Sequence, residues 1–223
     1  MVHGLLCALE PELGSLCDAV RSRRRVQGVE VLELDVPGGS LLAAVSGVGK
    51  VRAAQAAAVL LGEGVSRGLL VVGTCGGLTR DLAPGTLVHA RIAAQVDLAV
   101  REGRELPSDP ELRAAWRRVA PGPEAWFLTA DRPVLNPWRR LRLVRAFAGS
   151  CAAEMETAAV AAVAERAGVP WAALRAVTDR ASFLGAAEFR ARFGSLAGRA
   201  ADTVRDLLAA GRSASVAPPE GSR

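Results

Sequence analysis

Two glutamates, Glu154 and Glu156, lie two residues apart in an apolar stretch of the sequence. In a β-strand, residues two apart point to the same face, so both carboxylates would enter one site. A buried carboxylate needs partners, and a vicinal diol suits this role because both of its hydroxyls can donate hydrogen bonds. Alternatively, Glu156 begins the next helix and only interacts with its N-terminal dipole. The pair therefore indicates either sugar binding or helix capping.

Further acids follow apolar runs elsewhere in the chain. Asp179 comes after the apolar run at residues 169–177 and stands next to a threonine. Burial would raise the pKa of this carboxyl group, which could then protonate a leaving group. An N-cap, or an ion pair with Arg175 or Arg180, is the alternative interpretation. Glu12 follows the first apolar run in the same way.

Two glycine-rich segments also follow apolar runs. The segment at residues 47–50 does not match a phosphate-binding P-loop, because the first glycine and the Ser/Thr of that motif are missing. It does not match a dinucleotide-binding turn either, because Arg52 replaces the third glycine. This segment predicts a tight turn whose backbone N–H groups approach a ligand, or a purely structural turn. Residues 73–77 similarly predict a turn that cradles a ribose or an anion, or one that only requires glycine.

Strands that alternate with helices would position these residues. Apolar runs predict strands at residues 2–9, 29–34, 41–45, 68–72, 86–94, 125–129, 151–155 and 169–177. Helical spacing predicts helices near residues 10–20, 51–61, 111–119, 137–147, 156–167 and 186–210, the fourth capped by Asn136. This order is typical of an α/β fold whose mostly parallel sheet is covered on both faces. Its ligand crevice is expected at the carboxyl ends of the strands.

Length and composition narrow the class of protein. The 223 residues, 50% of them hydrophobic, fit a single domain over residues 1–211, followed by a disordered Ser/Pro/Gly-rich tail at 212–223. No apolar stretch is long enough to span a membrane and the N-terminus does not resemble a signal peptide, so we expect a cytoplasmic protein without a membrane partner.

The charged and sulfur-containing residues argue against two further classes of protein. The net charge of +5 comes from dispersed arginines, and the basic runs at 21–25 and 139–142 lack interleaved aromatics. This pattern favours a solvated surface over nucleic-acid binding. The four cysteines and two histidines are scattered, which predicts reduced thiols and no metal site.

Taken in order, five segments resemble the nucleoside phosphorylase/nucleosidase superfamily, most closely the methylthioadenosine/S-adenosylhomocysteine nucleosidases. They lie at residues 8–12, 46–51, 73–78, 154–160 and 175–179, and the similarity extends over about residues 4–210. The resemblance implies a three-layer α/β/α fold with a central mixed, mostly parallel sheet. It also implies hydrolysis of the N-glycosidic bond of a 5′-modified purine nucleoside to adenine and a ribose derivative, without a cofactor. The expected assembly is a homodimer in which the partner subunit helps to close the pocket.

The resemblance also implies roles for matching positions. Glu12 would activate the attacking water, and Asp179 would protonate the departing purine at N7. Glu156 would accept hydrogen bonds from the 2′ and 3′ hydroxyls of the ribose, while Thr74 and Arg175 would help to hold the surroundings of the nucleophile. The full set of substrate-binding residues implied is Ala8, Val48, Thr74, Cys75, Gly76, Val134, Glu154, Met155, Glu156, Arg175 and Thr178. Within it, Met155 would contact the ribose and the backbone of Val134 the base.

The nucleophile and the substrate depend on positions that differ from the family pattern. Val71 and Val72 stand where phosphorylases of the superfamily have an arginine, and Glu10 and Glu12 would repel phosphate, so water is the expected nucleophile. Pro133 stands where nucleosidases usually have an aromatic residue against the base.

Other segments leave the substrate open. Residues 180–182 lack the second aspartate of the familiar pattern, and residues 129–134 and 106–110 resemble the hopanoid-associated branch of the superfamily. The alternatives are therefore a phosphorylase, or a hopanoid-associated or futalosine-type homologue that acts on another adenosyl-linked substrate. A non-catalytic nucleoside-binding protein is the alternative outside the enzymes.

Overall fold

Ten strands and seven α-helices make up the computed structural model, which describes residues 2–37, 39–100 and 103–215. The strands are β1 (Val2–Cys7), β2 (Val20–Val26), β3 (Val29–Val36), β4 (Gly39–Val45), β5 (Val65–Gly77), β6 (Leu87–Gln95), β7 (Glu105–Pro107), β8 (Glu124–Thr129), β9 (Cys151–Glu154) and β10 (Trp171–Asp179). The helices are α1 (Lys50–Gly62), α2 (Pro110–Val119), α3 (Pro137–Ala146), α4 (Thr157–Ala167), α5 (Gly185–Leu196), α6 (Arg199–Asp202) and α7 (Val204–Ser215). A 3-10 helical segment, Glu10–Ala19, connects β1 to β2.

The strands form one mixed sheet in the order β10-β6-β8-β9-β5-β1-β4-β3-β2. Parallel pairs join β1 to β4 and β5, β5 to β10, and β8 to β6 and β9, whereas the remaining pairs are antiparallel. Because β10 also pairs with β5, the strands β5, β10, β6, β8 and β9 close into a barrel. The sequence pattern predicted a mostly parallel sheet covered on both faces, and it contains no signal for this closure.

Helices cover both faces of the sheet, which confirms the predicted fold class. The alanine-rich inner faces of α1 and α4 pack on one face, in a cluster that includes Ala53, Ala57 and Ala161. On the other face, Leu13 of the 3-10 segment and Trp116 of α2 pack with residues of α6 and α7. The small alanine side chains allow helix and sheet to approach closely, and burial of the larger apolar groups stabilises the core by roughly 1.5–3 kcal/mol per side chain.

Three predicted elements differ from the structure. The helix expected near residues 10–20 is the 3-10 segment, and the basic run at 21–25, for which no strand was predicted, lies in the edge strand β2. Charged side chains suit an edge strand because they discourage pairing with other chains. The turn expected at residues 73–77 continues β5, since β9 and β10 pair with it.

The long helix expected at residues 186–210 is divided into α5, α6 and α7. Gly198 lies at the first break and packs against Gly14, where a Cβ atom on Gly198 would approach Gly14 Cα to 2.4 Å. The helix therefore breaks where two backbone segments come into contact.

The C-terminal boundary also differs. Helix α7 ends at Ser215, four residues beyond the predicted end of the domain, and residues 216–223 of the predicted tail lie outside the described residues. Within the described part of the chain, none of the helices has the length and apolar character needed to cross a membrane.

Candidate active site

A cavity of 470 Å³ lies where β1, β5, β9 and β10 end. The cavity results from the way β5 is paired along one of its edges. On this edge β5 pairs with β1 up to Val71 and with β9 only from Gly76 onwards. β5 thus changes neighbours at this point, and a crevice opens between β1 and β9, as expected where strand order switches in an α/β sheet. All predicted site residues except Arg175 line the cavity: Ala8, Glu12, Val48, Thr74, Cys75, Gly76, Val134, Glu154, Met155, Glu156, Thr178 and Asp179.

Glu12 is held at the inner end of the crevice by four donors. Its Oε2 accepts hydrogen bonds from the backbone N–H groups of Ala8 (3.0 Å) and Leu9 (3.1 Å). Its Oε1 accepts from the N–H (2.9 Å) and the hydroxyl (3.1 Å) of Thr74. The Thr74 N–H is available because β5 lacks a strand partner on that edge at this position, among the described strands. Only the ionised form of a carboxyl group can accept all four bonds.

Arg175, the predicted site residue that does not line the cavity, lies directly behind it. Its Nη2 is 2.9 Å from Glu154 Oε2 and 3.1 Å from Glu156 Oε2, and its Nη1 donates to the backbone oxygen of Thr74 (2.9 Å). Burial alone would lower the pKa of Arg175, but Glu154, Glu156 and Glu12 outweigh it and raise this pKa. The guanidinium is therefore a permanently charged link between β10 and the two glutamates.

Glu154 and Glu156 have different functions, although both contact Arg175. Glu154 Oε2 accepts from the N–H groups of Glu156 (2.9 Å) and Thr157 (2.7 Å), so Glu154 satisfies the first donors of α4. Its other oxygen accepts from the Thr129 hydroxyl. Glu156 occupies the N-cap position of α4 but makes no capping bond with its side chain. Helix capping is therefore performed by Glu154 and not by Glu156.

Glu156 instead turns towards the cavity. Its Oε1 accepts a hydrogen bond from the N–H of Gly49 (2.9 Å), at the turn before α1. Burial raises the pKa of Glu156. The positive charge of Arg175 lowers this pKa, and the negative charge of Glu154 raises it further. The predicted turn at residues 47–50 thus uses a backbone N–H to orient a carboxylate. Because β9 ends at Glu154, the two glutamates do not share a strand face as predicted.

Asp179 ends β10 and faces the same cavity. Its Oδ2 accepts from the Thr178 hydroxyl (2.9 Å) and its Oδ1 from the N–H of Ala181 (2.8 Å). Among the described residues it forms no ion pair, so the alternative of a salt bridge to Arg175 or Arg180 does not apply. Burial raises the pKa of Asp179, only partly offset by the two hydrogen bonds. This carboxyl group is suited to carry a proton.

Cys75 also lines the cavity, between Thr74 and Gly76. Burial raises the pKa of its thiol well above the usual range, although Arg175 opposes this. The thiol is therefore protonated and a poor nucleophile. Among the residues that the structure describes, no group of three or more His, Cys, Asp or Glu side chains is placed to hold a metal ion.

The cavity also includes Pro133, which matches the position of an aromatic residue in the family, and residues that were not predicted from the sequence: Leu9, Arg132, Leu135, Ala153, Ala181, Gly185, Ala186, Phe189 and Arg190. The cavity residues of α5 lie one helical turn apart and therefore share one face of the helix. The predicted helix beginning at residue 186 could have indicated this face. Arg132 and Arg190 are exposed at the cavity and form no ion pair with any described residue.

Comparison with known proteins places this arrangement in a family. The family described as the phosphorylase superfamily matches residues 2–210. The 5′-methylthioadenosine/S-adenosylhomocysteine nucleosidase of Shewanella piezotolerans is 26% identical over 208 residues, which cover 85% of this chain and 90% of that relative.

Solved structures agree with this match. The S-adenosylhomocysteine nucleosidase of Streptococcus pyogenes, in complex with 5-methylthiotubericidin, superposes with a TM-score of 0.87 at 25% identity, covering 94% of this chain and 96% of that one. A futalosine hydrolase mutant of Helicobacter pylori has the same fold, with a TM-score of 0.84 at 23% identity and coverage of 96% and 99%. Because the family match extends over residues 2–210 of this chain, the chain belongs to the phosphorylase superfamily.

Proposed function

We propose that the protein hydrolyses the N-glycosidic bond of a 5′-modified adenosine, of the methylthioadenosine/S-adenosylhomocysteine type, to adenine and a ribose derivative. The observation that carries this proposal is that Glu12, Glu156 and Asp179 line one cavity, each with different partners. Cleavage of a glycosidic bond requires a proton for the leaving group, a base for water, and a stabilised oxocarbenium-like sugar. The names of the relatives and of the solved structures support the same reaction.

In this mechanism, Asp179 donates the proton to N7 of the purine. The departing base would otherwise leave as an anion, and protonation lowers the barrier to breaking the bond. The raised pKa of Asp179 supports the role, because a general acid must hold its proton until the transition state.

Glu12 is the base that orients and deprotonates water. Four hydrogen bonds use the acceptor positions of Glu12, two of them from Thr74. The Thr74 hydroxyl can rotate its hydrogen away, since it also has lone pairs of its own. This rotation frees one position on Glu12 Oε1 for the nucleophilic water.

Glu156 binds the ribose through its 2′ and 3′ hydroxyls. The carboxylate is fixed by Gly49 and Arg175, so it loses little freedom when a sugar enters. Its negative charge near the sugar ring also stabilises the cationic character of the transition state.

Water, rather than phosphate, is the proposed nucleophile. Among the described residues, Arg175 is the cation next to the Glu12 end of the cavity, and Glu154 and Glu156 already neutralise it. A phosphate there would face Glu12 without a free cation. The repulsion between the two anions is roughly several kcal/mol at short distance in a poorly solvated site.

We also propose that the protein acts as a homodimer in the cytoplasm. Val48 and Val51 are exposed apolar residues on either side of the start of α1, and Val48 lines the cavity. A partner subunit on this face would cover them and close the cavity. The cysteines in the described structure are free thiols, as expected in a reducing compartment. Sedimentation velocity tests the dimer, and a monomeric active species would contradict it.

The experiment that tests the function is adenine release from methylthioadenosine, S-adenosylhomocysteine, 5′-deoxyadenosine and adenosine, each with and without phosphate. We expect release that does not depend on phosphate. Arg190, an exposed cation at the cavity, would suit a 5′ group that carries a carboxylate, so S-adenosylhomocysteine is expected to rank high.

Other outcomes would support the alternatives. Release that requires phosphate would identify a phosphorylase, and release only from longer adenosyl-linked or futalosine-type nucleosides would move the substrate to those branches. Binding of nucleosides without any turnover would identify a binding protein.

A further inference from the structure

Lys50 is the only lysine in the chain, and it lies where a cation is unfavourable. It is the first residue of α1, and the N-terminus of a helix carries a partial positive charge that repels a cation. Its side chain is nevertheless only 17% exposed. The helix itself therefore does not explain the residue, and its partners must.

Those partners are two aspartates from two different loops. Lys50 Nζ lies 2.6 Å from Asp97 Oδ1 and 3.3 Å from Asp131 Oδ2. Asp97 Oδ2 in turn accepts a hydrogen bond from the N–H of Asp131 (2.8 Å). Asp97 follows β6 and Asp131 follows β8, so the lysine joins both loops to the start of α1.

Both ends of this network lead into the cavity. On one side, Gly49 directly precedes Lys50 and donates its N–H to Glu156. On the other side, Asp131 directly precedes the cavity wall at residues 132–135. The ammonium group therefore connects the carboxylate proposed to bind the sugar with the wall proposed to contact the base.

We propose that Lys50 is a positioning residue, which holds the wall at 132–135 at a fixed distance from Glu156 without touching the substrate. The inference rests on the proposed function for the identity of the ligand. Without the ammonium group, Asp97 and Asp131 repel each other, and the loop that carries the wall moves away from α1. Base and sugar could then no longer contact their subsites at the same time.

The test compares the variants Lys50→Met and Lys50→Arg with the wild type. Two quantities are measured: the kcat and KM of adenine release, and the Kd of a 5′-methylthio C-nucleoside of 9-deazaadenine, whose carbon–carbon glycosidic bond resists hydrolysis. We expect Lys50→Met to raise KM and Kd about tenfold and to change kcat less than threefold. Lys50→Arg should stay within threefold of the wild type in all values, because it keeps the charge.

Two further variants separate positioning from general stability. Arg24→Met removes the ion pair between Arg24 and Glu63 at the other end of α1 and should leave KM and Kd unchanged. Adding Asp97→Asn and Asp131→Asn to Lys50→Met removes the repulsion and should recover part of the lost affinity. Equal effects of Lys50→Met and Arg24→Met, or an unchanged Kd in Lys50→Met, would overturn the inference.

The binding measurement also keeps this inference distinct from the proposed function. If the wild type binds the C-nucleoside but releases no adenine, the proposed hydrolysis is wrong and the Kd values still decide the role of Lys50. If the wild type does not bind the C-nucleoside, both the function and the inference are overturned.

Discussion

The three acids of the cavity carry the same functional group, but their surroundings give them different properties. Glu12 accepts from backbone N–H groups and a hydroxyl, Glu156 is paired with Arg175, and Asp179 has no cationic partner among the described residues. Burial raises the pKa of Asp179, and the two hydrogen bonds that this carboxyl group accepts lower it only in part. Groups whose surroundings favour different protonation states can serve as acid and base in one reaction.

Asp179→Asn tests the general acid. The amide keeps the size and the hydrogen bond with Ala181 but has no acidic proton, so kcat should fall by about 10²–10⁴-fold. The measurement is adenine release at substrate saturation, with the Kd of the 9-deazaadenine C-nucleoside as the control for an intact cavity. A kcat close to that of the wild type would remove Asp179 from the mechanism.

Glu156→Gln tests the contact with the diol. The variant keeps the shape of the side chain but weakens two charge-assisted hydrogen bonds, so kcat/KM for a riboside should fall by about tenfold or more. The same substitution should have a much smaller effect on the 2′,3′-dideoxy analogue. Equal losses on both substrates would show that Glu156 acts elsewhere.

At the scale of elements, the site depends on a close approach between β5 and the 3-10 segment. Gly73 has a φ of +146°, and a Cβ atom there would lie 2.7 Å from Glu12 Oε1. The glycine thus allows the carboxylate to reach the Thr74 N–H at the point where β5 changes neighbours. The site residues are brought together by this contact between elements.

Gly73→Ala should therefore displace Glu12 and lower kcat/KM by more than tenfold, with a loss of about 1–3 kcal/mol in the free energy of unfolding. Gly28→Ala is the matched control, because Gly28 also has positive φ (+83°) but has no atom within 4 Å of its Cβ position. The control should lose stability and keep kcat/KM. Full activity in Gly73→Ala would contradict the proposed role of Glu12.

At the scale of the whole molecule, the buried His89 and the half-buried His3 connect folding to pH. His89 is fully buried, and its Nε2 lies 2.8 Å from the backbone oxygen of Ala120, an acceptor that requires a proton on Nε2. Its Nδ1 has no partner among the described residues, so a second proton would be buried without an acceptor. Burial lowers the pKa of His89 and lowers that of His3 to about 4.

Because these pKa values are lower in the folded than in the unfolded state, the unfolded state binds more protons below about pH 6.5. The free energy of unfolding should therefore decrease as the pH falls from 6.5 towards the lowered pKa values. The decrease is up to about 1.4 kcal/mol per pH unit for each histidine. Urea unfolding at a series of pH values measures this dependence.

His89→Gln keeps a donor for Ala120 and removes the titration, so its stability should depend less on pH in this window. The comparison cancels the contributions of the carboxyl groups, which are common to both proteins. The same slope in wild type and variant would show that His89 does not titrate differently in the two states.

The sequence by itself determined most of the elements and part of the candidate site. Hydrophobic periodicity identified most strands and helices, since a strand buried on both faces, such as β10, is apolar over most of its length, here apart from Arg175 and the last two residues. Acids and glycine-rich segments directly after such strands indicated part of the cavity, including Glu12, Glu156 and Asp179, because the carboxyl ends of parallel strands meet at one edge. Membership of the superfamily, predicted from these segments, is confirmed.

Only the tertiary structure decided how these residues divide the work. The closure of the barrel, the open edge of β5 at Thr74, and the choice of Glu154 over Glu156 as the cap of α4 all depend on contacts between segments far apart in the chain. The same holds for the link from Lys50 to Asp97 and Asp131. Local patterns report which groups are apolar or charged, but the partner of a buried charge is set by packing, because it is whichever group the fold brings within a few ångströms.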